Sequence, residues 1–346
     1  RMGLTKQSTG SAVSGDALTI VKTSGQEKVV ALAGNPNVGK STVFNALTGL
    51  NQHTGNWPGK TVSNAQGRYT HKDRDFILVD IPGTYSLMAS SVEEEVARDF
   101  VCFGGPDAVV VVADATCLER NLNLVLQILE ITDKVVVCVN LLDEAKKKKI
   151  QIDLDELSLN LGVPVIGAAA RSGKGLKELM DAVSAVSFGE RKTYRVKLPY
   201  DEPIELALEK LVPIVSRYTQ DKINPRWAAL KLLDAGQDPK LIESLSQFLD
   251  CDLERQEELC LSLKSVREQL SAAGYTPETL RDRIVYRVVK RSEIIYHQCV
   301  CLENPCYNGR DRKIDKFLTS KATGIPVMLL LLALIFWITI NGANVP

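Results

Sequence analysis

Histidine is scarce: there are three in 346 residues, His53, His71 and His297, each alone in its surroundings. A solitary histidine is more often a surface or hydrogen-bonded residue than a metal ligand, so none is assigned to a metal. Net charge is missing as well. Lys plus Arg and Asp plus Glu both number 42, which excludes the broad basic field of a nucleic-acid-binding surface. Cysteines number eight, few for a disulfide scaffold of this length, and Cys102, Cys117 and Cys138 lie in or beside apolar segments, so a reducing compartment is expected. The N-terminus has no charged start followed by an apolar run, and no secretory signal is expected. Low-complexity tracts and internal repeats are not evident. Hydrophobic residues at 45% and charged residues at 24% suffice for a sizeable core. At roughly 100–200 residues per domain, the length suggests two domains.

A long apolar run occurs in one place only. No charged residue lies between Ala322 and Pro346, and Ile325 to Ile340 reads IPVMLLLLALIFWITI, with its proline where a helix would begin. This segment is predicted to span a membrane; the rival is a buried helix of a soluble domain, because the strictly apolar stretch is a little shorter than about 18 residues. Upstream, Arg310, Arg312, Lys313, Lys316 and Lys321 outweigh Asp311 and Asp315, and basic flanks stay in the cytoplasm. Residues 1 to 321 are therefore expected to be cytosolic, and the chain to be a fragment of a longer membrane protein.

Residues 1–27 are rich in Ser, Gly, Thr and Lys without apolar periodicity, as in a flexible tail. From Lys28, short apolar runs alternate with helical patterns: VVALAG (29–34), FILVD (76–80), AVVVVAD (108–114), KVVVCVN (134–140) and VPVIGAA (163–169). Continuous runs of this kind between helices predict an α/β domain over 28–189 with a mostly parallel central sheet flanked by helices. After Gly189 strand signals end. Segments 202–218, 225–236, 239–249, 254–274 and 276–295 read as successive helices punctuated by Pro or Gly, predicting an all-α spacer over 190–309. A basic juxtamembrane segment and the span then occupy 310–346.

The strongest local signal is Gly34-Asn35-Pro36-Asn37-Val38-Gly39-Lys40-Ser41, a G-x-x-x-x-G-K-S loop between a predicted strand and a predicted helix at Ser41–Thr48. Backbone N–H groups of such a loop wrap phosphates, Lys40 reaches the β and γ phosphates, and Ser41 ligates magnesium. The rival is a glycine-rich turn with no ligand. Asp80-Ile81-Pro82-Gly83 ends the FILVD strand, where ligands gather in open α/β sheets; it offers an acid toward magnesium and the Gly83 N–H toward the γ phosphate. Asn140-Leu141-Leu142-Asp143 follows the next strand but one, and an acid at Asp143 accepts from the amino and imino groups of guanine, a donor pair adenine lacks. Each of these two motifs is weak alone. Their order and placement together predict a P-loop GTPase binding GTP and GDP.

These residues resemble the TRAFAC-type GTPases. The wording GNPNVGKS, GNWPGKTV, DIPGTYSL and NLLDE is similar to that of the ferrous iron transport protein B family, from about Val29 to Ala185, more loosely across the helices, and again at RDRKIDKFLTSKATGIPV. The resemblance implies a cytosolic GTPase domain, a helical spacer sometimes described as stabilising GDP, and a polytopic region importing ferrous iron across a bacterial cytoplasmic membrane. It implies contact with membrane lipid, self-association and a small accessory transport protein as partners, with no role for nucleic acid.

By motif, the resemblance places Gly34, Asn35, Pro36, Asn37, Val38, Gly39, Lys40, Ser41 and Thr42 around the phosphates. Thr61 of GNWPGKTV becomes the mobile switch threonine. Magnesium falls to Ser41, Thr61 and, through water, Asp80. Asn37 would hold potassium where other GTPases place an arginine finger, and the rival is a plain turn asparagine. Catalysis is then expected from Lys40, Thr61, Gly83 and Asn37. Thr84 stands where many small GTPases carry a water-orienting glutamine and is too short for that task, so slow hydrolysis is expected, assisted by potassium or a neighbouring subunit. On the base side, Ala168-Ala169-Ala170-Arg171 stands where the family often has Ser-Ala; Ala169 and Ala170 are expected at guanine, with the Ala170 N–H retained.

Three further signals have two readings each. Cys299-x-Cys301-x-x-x-x-Cys306 near His297 offers a soft-metal or redox site, or mere packing. Lys146 to Lys149 form a solvated face or an anionic-lipid contact. Trp57 looks exposed and reads as a switch-loop anchor, with a partner contact as the rival. For the whole chain, the alternative to a transporter's GTPase region is a membrane-tethered regulatory GTPase that moves no ion. A soluble GTPase of ribosome or RNA maturation fits the loop but not the neutral charge and apolar C-terminus.

Overall fold

The computed structural model describes residues 24–302 apart from 50–51, 58–59, 89–90, 195–196, 221 and 235–237, together with Ile20, Lys22 and scattered positions between 326 and 337. The chain begins β1 (Lys28–Gly34), α1 (Lys40–Thr48), β2 (Gln52–Asn56), β3 (Ser63–His71), β4 (Arg74–Asp80), α2 (Val92–Phe103) and β5 (Ala108–Asp114). It continues through α3 (Leu118–Ile131), β6 (Val135–Asn140), α4 (Leu142–Lys147), β7 (Ile150–Ile152), α5 (Leu154–Leu161), β8 (Val165–Gly167) and α6 (Leu176–Ser187). Seven strands form one sheet in the order β2-β3-β4-β1-β5-β6-β8. Pairings β4·β1, β1·β5, β5·β6 and β6·β8 are parallel.

Strands buried on both faces explain the unbroken apolar runs. Along β1, Val30 and Leu32 pack with Val43 and Phe44 of α1 and Leu179 and Met180 of α6. Val29, Ala31 and Ala33 face the other way, onto Phe100 of α2 and Leu122, Val125 and Leu129 of α3. This second core runs on without a break into the C-terminal helices through Ile204, Leu208 and Trp227. Every parallel strand points its C-terminal end to the same edge of the sheet, so Gly34, Asp80, Asp114, Asn140 and Gly167 meet there.

The sheet differs from expectation at one edge. β2 and β3, which are not among the apolar runs read from the sequence, pair antiparallel with each other, and β3 pairs antiparallel with β4. Their sequences, QHTGN and SNAQGRYTH, are polar because this edge is largely exposed, and that hides the strand period.

The helices after residue 200 follow expectation closely: α7 (Glu202–Thr219), α8 (Pro225–Leu233), α9 (Pro239–Phe248), α10 (Glu257–Ala272) and α11 (Pro277–Cys299). α7, α8, α9 and α11 start on proline at the first or second helical position, where its missing N–H costs nothing. Thr276 and Thr279 close a reciprocal cap on α11. Strand signals do not quite end at Gly189: β9 (Val300–Leu302) pairs antiparallel with β7, so the end of α11 is stitched back onto the α/β part. Three residues are too few to carry a readable period.

Most of the proposed tail (1–19, 21 and 23), the basic segment, Cys306 and most of the proposed span lie outside the described residues. Among those described, no helix is long and apolar enough to cross a membrane.

Candidate functional site

The loop from Gly34 to Lys40 needs its glycines for contact reasons. A Cβ at Gly34 would fall 2.7 Å from the Val112 carbonyl oxygen, and one at Gly39 would strike the Asn140 amide. Gly39 has φ 82 and Asn37 φ 66, a left-handed pair in which Gly and Asn are the tolerated residues. This turn delivers the chain into α1, whose first turn carries no acidic residue and no side-chain cap. The N-terminus of α1 thus carries neither a side-chain acceptor nor a negative charge of its own, an arrangement an anion would complete. Ser41 and Thr42 are exposed on that first turn.

Asn35 is buried at 3% exposure, and among the described residues neither atom of its side-chain amide has a partner. An unpaired buried polar group costs about 1–3 kcal/mol, which is tolerated mainly where function demands it. Lys40 forms an ion pair with Asp80 at the end of β4, so the phosphate cation and the D-x-x-G acid are neighbours. Gly83 lies against the loop too: a Cβ there would sit 3.4 Å from the Pro36 nitrogen. Thr84 is buried, and its N–H donates to the Gly34 carbonyl at 3.2 Å.

Thr61 is not brought to this cluster. It is exposed on a turn, and among the described residues no hydrogen bond joins it to the phosphate loop. Trp57, expected to be exposed, is instead buried and packs edge-on against Phe100 of α2 at 5.3 Å. The Trp57 backbone N–H, not its indole, donates to the Val62 carbonyl at 2.7 Å, which ties together the two ends of the segment carrying Thr61.

At the base side, the Asn140 side chain is 1% exposed and points inward. Its Nδ2 donates to the Val38 carbonyl at 3.0 Å, and its Oδ1 accepts the Ala170 N–H at 3.0 Å. One amide thus ties the phosphate loop to the base loop, a bridge the sequence reading missed. The Ala170 N–H expected at guanine is, in this structure, given to Asn140. Asp143 is exposed in the first turn of α4, directly after Leu141 at φ 62. Ala169 and Ala170 are buried, with the Ala169 N–H on the Lys174 carbonyl at 3.0 Å.

The remaining candidates do not converge on this site. Cys299 is buried and Cys301 exposed, and among the described residues no group of three or more His, Cys, Asp or Glu is placed to hold a metal. Burial pushes the Cys299 thiol up to about 11, away from thiolate chemistry. Cys117 is exposed, but its thiol too is pushed up to about 11, by partial burial and then by Asp114. Lys146 to Lys149 are all exposed, with Lys147 on Glu144 at 2.9 Å.

The model of the family described as "Ferrous iron transport protein B" matches residues 28–183, and that of the "FeoB cytosolic helical domain" matches 200–301. The cytosolic domain of the T. maritima FeoB iron transporter, solved in a GDP form, is 34% identical with a TM-score of 0.61, covering 80% of this chain and 100% of that one. The chain belongs to the ferrous iron transport protein B family. The same T. maritima FeoB domain in its GMPPNP form is 36% identical at a TM-score of 0.61, over 79% of this chain and 99% of that one. Among curated relatives, the Fe(2+) transporter FeoB of Shigella flexneri is 31% identical over 320 residues, 90% of this chain and 38% of its own. An Fe(2+) transport protein A/Fe(2+) transporter FeoB fusion protein of Porphyromonas gingivalis is 32% identical over 334 residues, 91% of this chain and 37% of its own. This chain therefore spans well under half the length of these two curated relatives.

Proposed function

We propose that residues 28–189 form a GTPase that binds GTP and GDP with magnesium and hydrolyses GTP slowly. Residues 190–309 are a helical spacer, and the whole is the cytosolic region through which a longer protein gates or drives Fe(2+) uptake at a bacterial cytoplasmic membrane. The observation that carries the nucleotide reading is Asn140, one buried amide bonded to both the Val38 carbonyl and the Ala170 N–H. By joining those two loops it supports a reading in which one nucleotide is held by both, with Asp143 facing the base and Gly34 to Lys40 facing the phosphates. GDP and GMPPNP forms of the T. maritima FeoB domain support the same reading.

In this reading Lys40 leaves Asp80 for the phosphates, and the Gly83 N–H faces the terminal phosphoryl oxygens. Asn35, Pro36, Val38 and Thr42 shape the loop, and Ala169 and Ala170 floor the base pocket. Ser41, Thr61 and Asp80 would hold magnesium; all three offer hard oxygen donors, which suits that ion. Bound there, magnesium neutralises charge on the β and γ oxygens. Asn37 is exposed at the loop tip, where a potassium ion would neutralise charge developing on the leaving side. Fusion of an Fe(2+) transport protein A to the Porphyromonas relative supports an accessory transport protein as partner. Membrane lipid would meet the apolar segment near the C-terminus, and self-association of the parent protein completes the set.

The test is GTP turnover in potassium against sodium, for the wild type and Asn37→Ala, with Fe(2+) uptake by cells expressing the complete parent protein and its Lys40→Ala variant. Potassium stimulation lost with Asn37→Ala, and uptake lost with Lys40→Ala, are expected. Uptake untouched by Lys40→Ala would separate iron movement from the nucleotide.

A further inference from the structure

The segment after Gly83 has no helix or strand of its own up to Met88, yet side chains from elsewhere hold it almost residue by residue. The Thr84 N–H is on the Gly34 carbonyl. The Arg120 guanidinium lies over the Tyr85 ring, 4.1 Å from its centroid. The side-chain oxygen Oε1 of Gln127 accepts the Leu87 N–H at 2.8 Å and the Ser86 hydroxyl at 3.2 Å. The Ser86 hydroxyl in turn accepts the Met88 N–H at 3.1 Å. Arg281 of α11 donates to the Met88 carbonyl at 2.9 Å. Arg120 and Gln127 are seven residues apart on α3, two turns along one face of that helix.

Thr84 is too short to orient an attacking water and is itself buried. Orientation must then come from the main chain of 83–87, and main chain without secondary structure stays in place only through what it is tied to. We propose that Gln127 and Arg120 are positioning residues for GTP hydrolysis, holding 85–87 so that the backbone after Gly83 is fixed relative to the terminal phosphate. Among the described residues, the bonds of Gln127 and the ring contact of Arg120 go to 85–87 and not to the phosphate loop or the base loop. Their contribution therefore falls on turnover and not on nucleotide affinity. Gln127 works as an acceptor only, since both its bonds end on the same oxygen. Arg120 works by stacking, its charge spent on the Tyr85 ring.

This inference rests on the GTPase reading above, and the experiment separates the two. In the 346-residue chain, kcat and KM for GTP and Kd for GDP are measured for the wild type, Gln127→Leu, Gln127→Glu and Arg120→Ala, with a thermal melt of each. Loss of two accepted hydrogen bonds is expected to lower kcat of Gln127→Leu about tenfold, while GDP Kd stays within about twofold. Gln127→Glu keeps the acceptor oxygen and is expected to recover most of the loss. Arg120→Ala is expected to lower kcat about threefold, the scale of one exposed cation–π contact. An unaltered kcat in Gln127→Leu, a GDP Kd that worsens in step with kcat, or a Gln127→Glu as slow as the leucine variant would each overturn the proposal. So would a loss of about a thousandfold in Arg120→Ala, which belongs to a transition-state arginine. Should Gln127→Leu fail to fold, Gln127→Glu and Arg120→Ala carry the same test. A wild type that turns over GTP beside unaffected variants sinks only this proposal; a wild type with no GTP turnover sinks the nucleotide reading and this with it.

Discussion

The side-chain amide of Asn140 donates to the main-chain carbonyl of Val38, 102 positions earlier in the chain, at 3.0 Å. A residue whose motif suggests a contact with the base is therefore first a strut between two loops. Removing it leaves the Val38 oxygen and the Ala170 N–H unpaired in a buried place. Asn140→Ala is expected to cost about 1–3 kcal/mol of stability and to weaken binding of every nucleotide, whatever its base. Denaturant unfolding and titration with GDP check this. A variant that kept wild-type stability while losing only guanine preference would mean the strut is unimportant.

Gly39 is the tightest point of the loop. It combines φ 82 with a Cβ direction that runs into the Asn140 amide, whereas Gly173, at φ 73, has open space around it. Gly39→Ala is expected to abolish nucleotide binding by displacing Asn140. Gly173→Ala is expected to cost about 1 kcal/mol from backbone strain alone and to leave binding in place. GDP titration of both, with melting curves, reads the difference. Equal behaviour of the two would contradict the steric argument.

Stability in acid should report the join between α7 and α11. Asp201 accepts from Arg283 at 2.6 Å and from the Tyr275 hydroxyl at 3.0 Å, and pairs with Arg287. The Arg283 hydrogen bond, supported by Arg287 and Tyr275, holds its carboxyl down at about 2. A folded pKa below the unfolded value, about 3.9, means the contribution is complete above about pH 4 and is lost as pH falls toward 2. The gap in melting temperature between wild type and Asp201→Asn is therefore expected to be constant above about pH 4 and to narrow below it. A gap independent of pH down to 2.5 would assign the effect of Asp201 to packing.

How much of this was legible in sequence depends on where each signal is stored. β1, β4, β5 and β6 announce themselves because burial on both faces requires unbroken Val, Ile, Leu and Ala. β2 and β3 do not, because an exposed edge tolerates Gln, His, Asn and Gly, and β7 and β9 are three residues each. In the site, Gly34, Gly39, Lys40 and Asp143 are tied to a local pattern and could be named directly. The inward role of Asn140 depends on Val38 and Ala170, and the grip of Gln127 on Leu87 spans 40 positions, so neither leaves a local trace. Trp57 misled for the opposite reason: its sequence neighbours are Asn, Pro, Gly and Lys, while the aromatic side chain it packs against, Phe100, is 43 positions away.

The most direct measurement is calorimetric titration of the 346-residue chain with GTP and with ATP, for the wild type and for Asp143→Ala. A guanine-specific site should favour GTP by about a hundredfold or more, because a bound adenine would cover the Asp143 carboxylate without offering it the donor pair that guanine has. Asp143→Ala should collapse that preference while leaving the phosphate contribution in place. Equal binding of GTP and ATP by the wild type, or binding of neither, would contradict the assignment of this site to guanine nucleotides.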